Sequence, residues 1–431
     1  MNSFTRVCAV LFTLVCSSPL HAGTPDLFGM GSRATSLGGA FTGVADDFSA
    51  VYYNPAGIAG INEATLTVAP IFAQPRIWIA QGNGQQSAAL PNASGMYLGI
   101  TAPLGKLMGI EGLGIGITLY TPMDFVVDAA IPARTDTLFL PVIQDSYRRM
   151  SATVVLGYQI TADFSVGLGL DLFMDLGGST VVALGGPQYQ WKQRQPLSLE
   201  LRRDINLDPA IYAGLLYKLG RWLNLGLSYR MEETADTFFS PNAFSLGTID
   251  LDMTVALSSF FRPHQVTVGI ASRPLDNLLI CADLTWAHWA AFKGPHTETP
   301  EPAFNDAWIP RVGLETQLAS ALSLAVGYFY YPTPVPTQQG QSSFVDSDRH
   351  AFSGGFNWDL RKMQGSWKLP ISLGVHMQVQ LLDERHTKKN LDLLPDADPS
   401  LDGHQVSSPG YPNFSSGGSL LQGGATMELH F

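Results

Sequence analysis

The chain has 431 residues, a formal net charge of −11 and only 14% charged side chains, against about 25% in soluble domains. The acidic balance argues against a nucleic-acid partner, which asks for a basic stripe. Beyond the first 22 residues no run of about 18 uncharged apolar residues occurs, so a helical membrane protein is excluded. Low charge, 43 glycines and 10% aromatic residues leave a β-rich chain whose outer surface need not meet water.

In chain order, Arg6, the apolar run Val7–Val15 and Ser17-Ser18-Pro19-Leu20-His21-Ala22 read as a secretory leader, with cleavage expected after Ala22. Cys16 follows Thr13-Leu14-Val15, whereas a lipidation box needs a small residue immediately before the cysteine, so a lipoprotein is rejected. Removing residues 1–22 takes Cys8 and Cys16 with it and leaves Cys281 alone. No internal disulfide is expected, and stability must come from a hydrogen-bonded framework.

Residues 23–60 are rich in Gly and Ala, which let backbones approach closely. Asp46 and Asp47 are placed to cap a helix over Phe48–Tyr53. Pro55 must stop that helix, because the residue before a proline is pushed out of the α region. Asn54-Pro55-Ala56-Gly57 then reads as a sharp turn. A compact, glycine-lubricated segment ahead of an all-β chain is expected to be a hatch that the strands of residues 61–431 wrap around.

From there, segments of about ten residues alternate apolar with small or polar. Val166, Leu168, Leu170 and Leu172 share one face, opposite Ser165, Gly167, Gly169 and Asp171. Leu113, Ile115, Ile117 and Leu119 alternate with Gly114, Gly116 and Thr118, and Ile371–Val379 repeats the pattern. A soluble sandwich shares this period; the connections decide. Strands are expected near 64–79, 94–102, 112–120, 150–160, 164–174, 208–218, 222–232, 264–272, 278–287, 309–318, 322–331, 350–359, 370–381 and 422–431. Long connections near 80–93, 121–149, 175–207, 233–263, 288–308, 332–349 and 382–421 alternate with short ones. Long outside loops and short periplasmic turns build outer-membrane barrels. The expected fold is therefore all-β, a transmembrane antiparallel barrel of about fourteen strands with the N-terminal hatch in its lumen. Tyr158, Tyr217, Trp222, Tyr229, Trp286, Trp289, Trp308 and Tyr328–Tyr331 are candidates for aromatic girdles. The alternating end Ala425–Phe431 resembles the recognition signal of outer-membrane barrels, with Phe431 the contact for the assembly machinery.

The run Ala45-Asp46-Asp47-Phe48-Ser49-Ala50-Val51-Tyr52-Tyr53-Asn54-Pro55-Ala56-Gly57 resembles the hatch of the FadL/TodX family, outer-membrane transporters of long-chain fatty acids and hydrocarbons. Asn54-Pro55-Ala56 is its most specific part. The resemblance extends to Ala282–Trp289, to Trp308–Glu315 with Val326-Gly327-Tyr328, and to Asp348-Arg349. The loop 382–421 carries no family motif. The resemblance implies passive uptake of hydrophobic small molecules, captured by extracellular loops and gated by the hatch, in the bacterial outer membrane.

Asn54, Pro55, Ala56, Asp46 and Asp47 are the candidate gating residues. Phe41 and Phe48 in the hatch, and Phe125 and Phe139 in the loops near 121–149, are candidate substrate contacts. The resemblance also implies a basic partner for a substrate carboxylate, for which Arg230 and Arg349 are candidates, an arginine being suited to bidentate recognition. Asp171, Arg230, Asp283, Glu315, His376 and Gln378 are expected on the lumen face, where a wall-to-hatch ion network is the alternative reading. No G-x-S-x-G elbow, metal-ligand spacing or phosphate loop is found, so no catalysis, metal or cofactor is expected. The partners expected are a hydrophobic ligand and membrane lipid, around a monomer. A surface receptor or adhesin barrel, or a porin for polar solutes, is the alternative function.

Overall fold

The computed structural model describes residues 24–81, 84–87, 92–123, 127–131, 140–185, 198–202, 207–239, 244–246, 249–251, 255–293, 299–340, 344–363, 369–390 and 413–431. The expected leader 1–22 and the loop candidates Phe125 and Phe139 lie outside them.

Among the described residues, fourteen strands form a closed wall, and three short strands, Gly84–Ser87, Val127–Ile131 and Ser198–Arg202, extend the same sheet beyond it. The wall strands are β1 (Thr65–Gln81), β2 (Ala93–Pro103), β3 (Leu113–Pro122), β4 (Leu140–Gln159), β5 (Phe164–Gly185), β6 (Leu207–Leu219) and β7 (Leu223–Arg230). The second half is β8 (Gln265–Leu275), β9 (Leu278–Ala287), β10 (Ala307–Ala319), β11 (Leu322–Tyr331), β12 (Arg349–Asp359), β13 (Ile371–Lys388) and β14 (Asn413–His430). Each pairs antiparallel with its neighbour in sequence, and β1 closes on β14 through Thr65↔His430 to Gln81↔Phe414. Closure leaves no unpaired edge in lipid, which a membrane-spanning sheet requires.

Side-chain alternation separates the two faces. Leu168, Leu170, Ile211, Leu215, Val268, Ile270 and Met377 stand exposed on the outside, the reverse of a water-soluble sheet and the arrangement a hydrocarbon surround selects. Thr153, Asp171, Thr285, His376, Gln378 and Gln380 are buried on the inside. Tyr158, Tyr217 and Trp222 are exposed at one end of the wall, and Tyr229 and Trp308 at the other. Trp289 departs from the girdle expectation. It is buried with Phe261, Phe292, Phe304, Val335 and Ile309 in an aromatic cap at the extracellular ends of β9–β11, and its indole donates to the Tyr331 hydroxyl at 2.8 Å.

The expected loops are corrected at four places. β4 begins at Leu140, β5 runs to Gly185, β13 runs to Lys388, and β14 begins at Asn413. The expected loops also contain short strands at Val127–Ile131 and Ser198–Arg202 and a hairpin of Glu233–Phe239 with Val255–Arg262. A tilted strand needs only about 9–11 residues to cross the bilayer, whereas β5 has 22. Past the bilayer neither face must be apolar. In Asp383-Glu384-Arg385-His386-Thr387-Lys388 the alternation therefore fades while the hydrogen-bonded ladder continues.

Candidate functional site

Residues 24–61 lie within the wall as short helical turns: α1 (Thr24–Phe28), α2 (Ser32–Ser36), α3 (Ala50–Tyr53) and a 3₁₀ turn Pro55–Ile58. None is long enough to be stable alone, so the wall must hold the segment. Glycine makes the close fit. Gly114, Gly157, Gly167 and Gly214 are register neighbours on β3 to β6. A Cβ on any of them would collide with the hatch backbone of Ile58–Ala59 or with Asn54–Ala56. Gly226 and Gly269, paired across β7 and β8, likewise face Thr42 and Gly43. On the hatch side Gly38 has φ 67° and abuts the Tyr328 backbone, so both space and dihedral demand glycine there.

Directed hydrogen bonds tie the seat together. Asn54, fully buried, donates from Nδ2 to the carbonyls of Thr42 (2.8 Å) and Leu215 (3.0 Å), and its Oδ1 accepts from the Ala56 amide at 3.1 Å. The Thr42 amide in turn donates to Asp283 Oδ2 at 2.9 Å, as does Phe41 at 3.0 Å. A continuous strap thus runs from β6 through Asn54 and Thr42 to β9. Hydrogen bonds to a charged acceptor contribute about 1.5–3 kcal/mol each. Opposite, Ser32 Oγ lies 3.1 Å from His376 Nδ1, Gln380 donates to the Leu27 carbonyl at 2.8 Å, and Gln422 donates to that of Phe28.

At the periplasmic end Arg33 reaches Glu315 at 2.8 Å and also pairs with Asp46; Asp46 meets Arg273 at 3.2 Å. Burial pushes the Asp46 carboxyl up, but Arg33 outweighs it and holds the group below the ordinary carboxylate range. For Asp47, 3.7 Å from Arg33, burial prevails and the carboxyl is raised.

The expected helix is shorter than its capping residues suggested. It spans Ala50–Tyr53 rather than Phe48–Tyr53, and its N-cap is Ser49, with no side-chain cap bond; Asp47 instead accepts from the Ser49 amide ahead of the helix at 2.8 Å. Asp46 is drawn off into the ion network, because two arginines compete for its carboxylate more strongly than a helix amide does. Pro55 begins the 3₁₀ turn directly after the extended Asn54 (φ −159°).

The structure separates the remaining candidates. Phe41 is fully buried against Ala271, Leu279, Cys281 and Ala325 of the wall. Phe48 belongs to a second cluster with Phe28, Met30, Ile71, Tyr97 and Tyr120, on the β1–β3 side. Arg230 donates to the Tyr52 carbonyl at 2.6 Å and lies 4.1 Å over the Tyr52 ring. Arg349 stands apart, 4.2 Å over Tyr331, which packs against the aromatic cap. Sequence reasoning missed Arg262. It is 1% exposed, pairs with Glu233 at 2.6 Å and with Asp171 at 3.2 Å, and pins the base of the extracellular hairpin inside the lumen. Its only sequence signal was a charge at the end of an apolar run. It missed the glycine seat too, although Gly alternating with apolar residues was visible.

A model of the family described as outer membrane protein transport protein (OMPP1/FadL/TodX) matches residues 29–366. Alkane uptake protein A of Marinobacter nauticus is 21% identical over 402 residues, covering 84% of this chain and 86% of that protein. Among solved structures, a Pseudomonas aeruginosa FadL homologue aligns with a TM-score of 0.64 at 16% identity, over 96% of this chain and 99% of its own. The P. putida toluene transporter TodX aligns with a TM-score of 0.62 at 13% identity, over 94% and 99%. These solved relatives share the barrel fold.

Proposed function

The chain belongs to the OMPP1/FadL/TodX family of outer membrane transport proteins, and on that premise we propose that it admits hydrophobic small molecules, long-chain fatty acids or hydrocarbons, down their concentration gradient. The observation that carries this reading is the apolar side of the plugged lumen. Phe28, Met30 and Phe48 of the hatch face Ile71, Tyr97 and Tyr120 of the wall. Extracellular loops collect the ligand, and the hatch gates its passage through Asn54, Pro55 and Ala56.

Exit sideways into the outer leaflet suits the periplasmic end. A space of about 600 Å³ there carries the charged side chains Arg33, Asp46, Arg273, Glu315, Arg361 and Glu428 beside apolar ones such as Phe48, Ile58 and Leu279, and the charges make it less favourable to an apolar solute than the leaflet is. A channel rather than an enzyme also fits Ser32 and His376. His376 Nε2 has no hydrogen-bond partner among the described residues, so no third group orients the ring as a triad requires. The self-closed wall favours a monomer embedded in membrane lipid. Phe431, 77% exposed, is free for the assembly machinery.

The test is uptake by cells with and without the protein, comparing a labelled long-chain fatty acid, an aromatic hydrocarbon and a sugar. Selective gain for either hydrophobe supports the reading; gain for the sugar alone makes the protein a porin. Asn54→Ala removes the strap and is expected to impair uptake while the barrel still folds. Unchanged uptake would remove Asn54 from the gate.

A further inference from the structure

The sector of wall formed by β7–β10 carries two polar spaces with an apolar partition between them. On the extracellular side of the hatch, a cavity of about 50 Å³ is bounded by Ser228, Arg230, Thr267, Asp283, Thr285 and Arg311. Two side chains around it keep unused polar atoms. Asp283 Oδ1 and Arg230 Nη1 are buried without a protein hydrogen-bond partner among the described residues, although the residues are only 5% and 8% exposed. A buried charge left so is costly unless hydrated, and the cavity exceeds the roughly 10–15 Å³ that a water needs.

On the periplasmic side, the same strands contribute Arg273, Glu315 and Gln317, and the turn between β8 and β9 contributes Asp276, to the larger space of about 600 Å³. Between the two, Leu37, Ala40, Phe41 and Val44 of the hatch close on Ala271, Leu279, Cys281 and Ala325. The Thr42 turn is held at this level by Asp283 Oδ2 and seated on Gly226 and Gly269.

We propose that this sector is a second, polar route through the barrel for small hydrated ions, closed by the partition Leu37–Val44 acting as a hydrophobic gate. A narrow apolar constriction between wet chambers blocks ions by excluding water, without a charged barrier. The role goes beyond hydrophobe transport, and its partition is the Leu37–Val44 cluster rather than the one holding Phe28, Phe48 and Tyr97. Asp283 is the positioning residue: one carboxylate oxygen holds the gate-bearing turn and the other faces the polar cavity.

The experiment is ionic conductance of the purified full-length barrel in planar bilayers bathed in potassium chloride, with heat-modifiable gel migration reporting that each variant is folded. Phe41→Ala thins the partition and is expected to raise mean conductance about tenfold, equivalent to about 1.4 kcal/mol of gate stability. Val44→Ser, which wets the partition with less loss of packing, is the second variant and is expected to act in the same direction. Adding Ser228→Trp, which fills the upper cavity from the wall side, is expected to return the current to the wild-type level. Wild-type conductance in both folded partition variants, or a raised current that Ser228→Trp leaves untouched, overturns the proposal. Hydrophobe uptake is measured in the same strains. Its absence in the wild type would sink the transport reading and leave the current to decide this one.

Discussion

Both sides of the lumen pack apolar side chains against one hatch, but only one adds directed polar ties. Toward β1–β3, hatch and wall meet through Phe28, Met30, Phe48, Ile71, Tyr97 and Tyr120, non-directional contacts that can slide and re-form. Toward β7–β10 the apolar cluster around Phe41 is joined by the Asp283 carboxylate, the Arg33–Glu315 pair and the Asn54 strap, which hold only at one geometry. The difference teaches where a plug is free to yield. An apolar solute can replace apolar contacts at little cost, but it cannot replace hydrogen bonds to a buried carboxylate. The β1–β3 side is thus suited to give way to cargo, and the β7–β10 side to anchor.

The sharpest way to break this asymmetry is on the apolar side. Phe48→Ala is expected to weaken hatch seating by about 3–5 kcal/mol, to expose the hatch to added protease, and to change hydrophobe uptake. Ionic current through the β7–β10 sector should stay near wild type. Equal changes in both would mean that the hatch moves as one rigid piece. Next in size, Gly214→Val puts a side chain where Asn54 and Pro55 sit, an overpacking expected to cost about 1–3 kcal/mol. It should disturb both sides and admit a polar dye while the folded wall keeps its heat-modifiable migration. A dye-tight variant would show that the wall, not the hatch, relaxes.

The smallest effect is expected on the polar side. Arg33→Ala leaves Glu315 and Asp46 without their main partner, and because the pair is partly exposed the loss is expected to be about 1–2 kcal/mol. The same contact gives a pH dependence. Asp46 is held below the ordinary carboxylate range, so its contribution is complete at neutral pH and is lost as acid protonates it in the folded state. Protease sensitivity of the hatch should accordingly rise below about pH 4 in the native protein, and less steeply in Arg33→Ala. An identical acid profile in the two would take Arg33 out of the latch.

The wall was legible before any coordinates. All fourteen expected strands occur, because lipid outside and a polar lumen inside force opposite chemistry on alternate residues, and that alternation is written one residue at a time. Their extracellular ends were not legible. Beyond the bilayer the backbone ladder of β4, β5, β13 and β14 continues while the selection on side chains stops. In the hatch, the stop at Pro55 could be read locally, since it depends on proline's own ring. The fate of Asp46 could not, because its partner Arg273 lies 227 residues away in sequence.

By itself, the sequence determined the strand count, the antiparallel order and the presence of a small-residue segment ahead of the strands, all properties of local period and composition. Tertiary structure alone decided what the small residues are for. Gly114, Gly157, Gly167 and Gly214 read as featureless gaps in four separate strands until register aligns them into one seat. Likewise Asp283, Thr42, Asn54 and Leu215 become one strap only when β6 and β9 close around the hatch. Contacts between residues so distant in the chain leave no periodic trace. They exist because closing the wall brings those residues within hydrogen-bond reach.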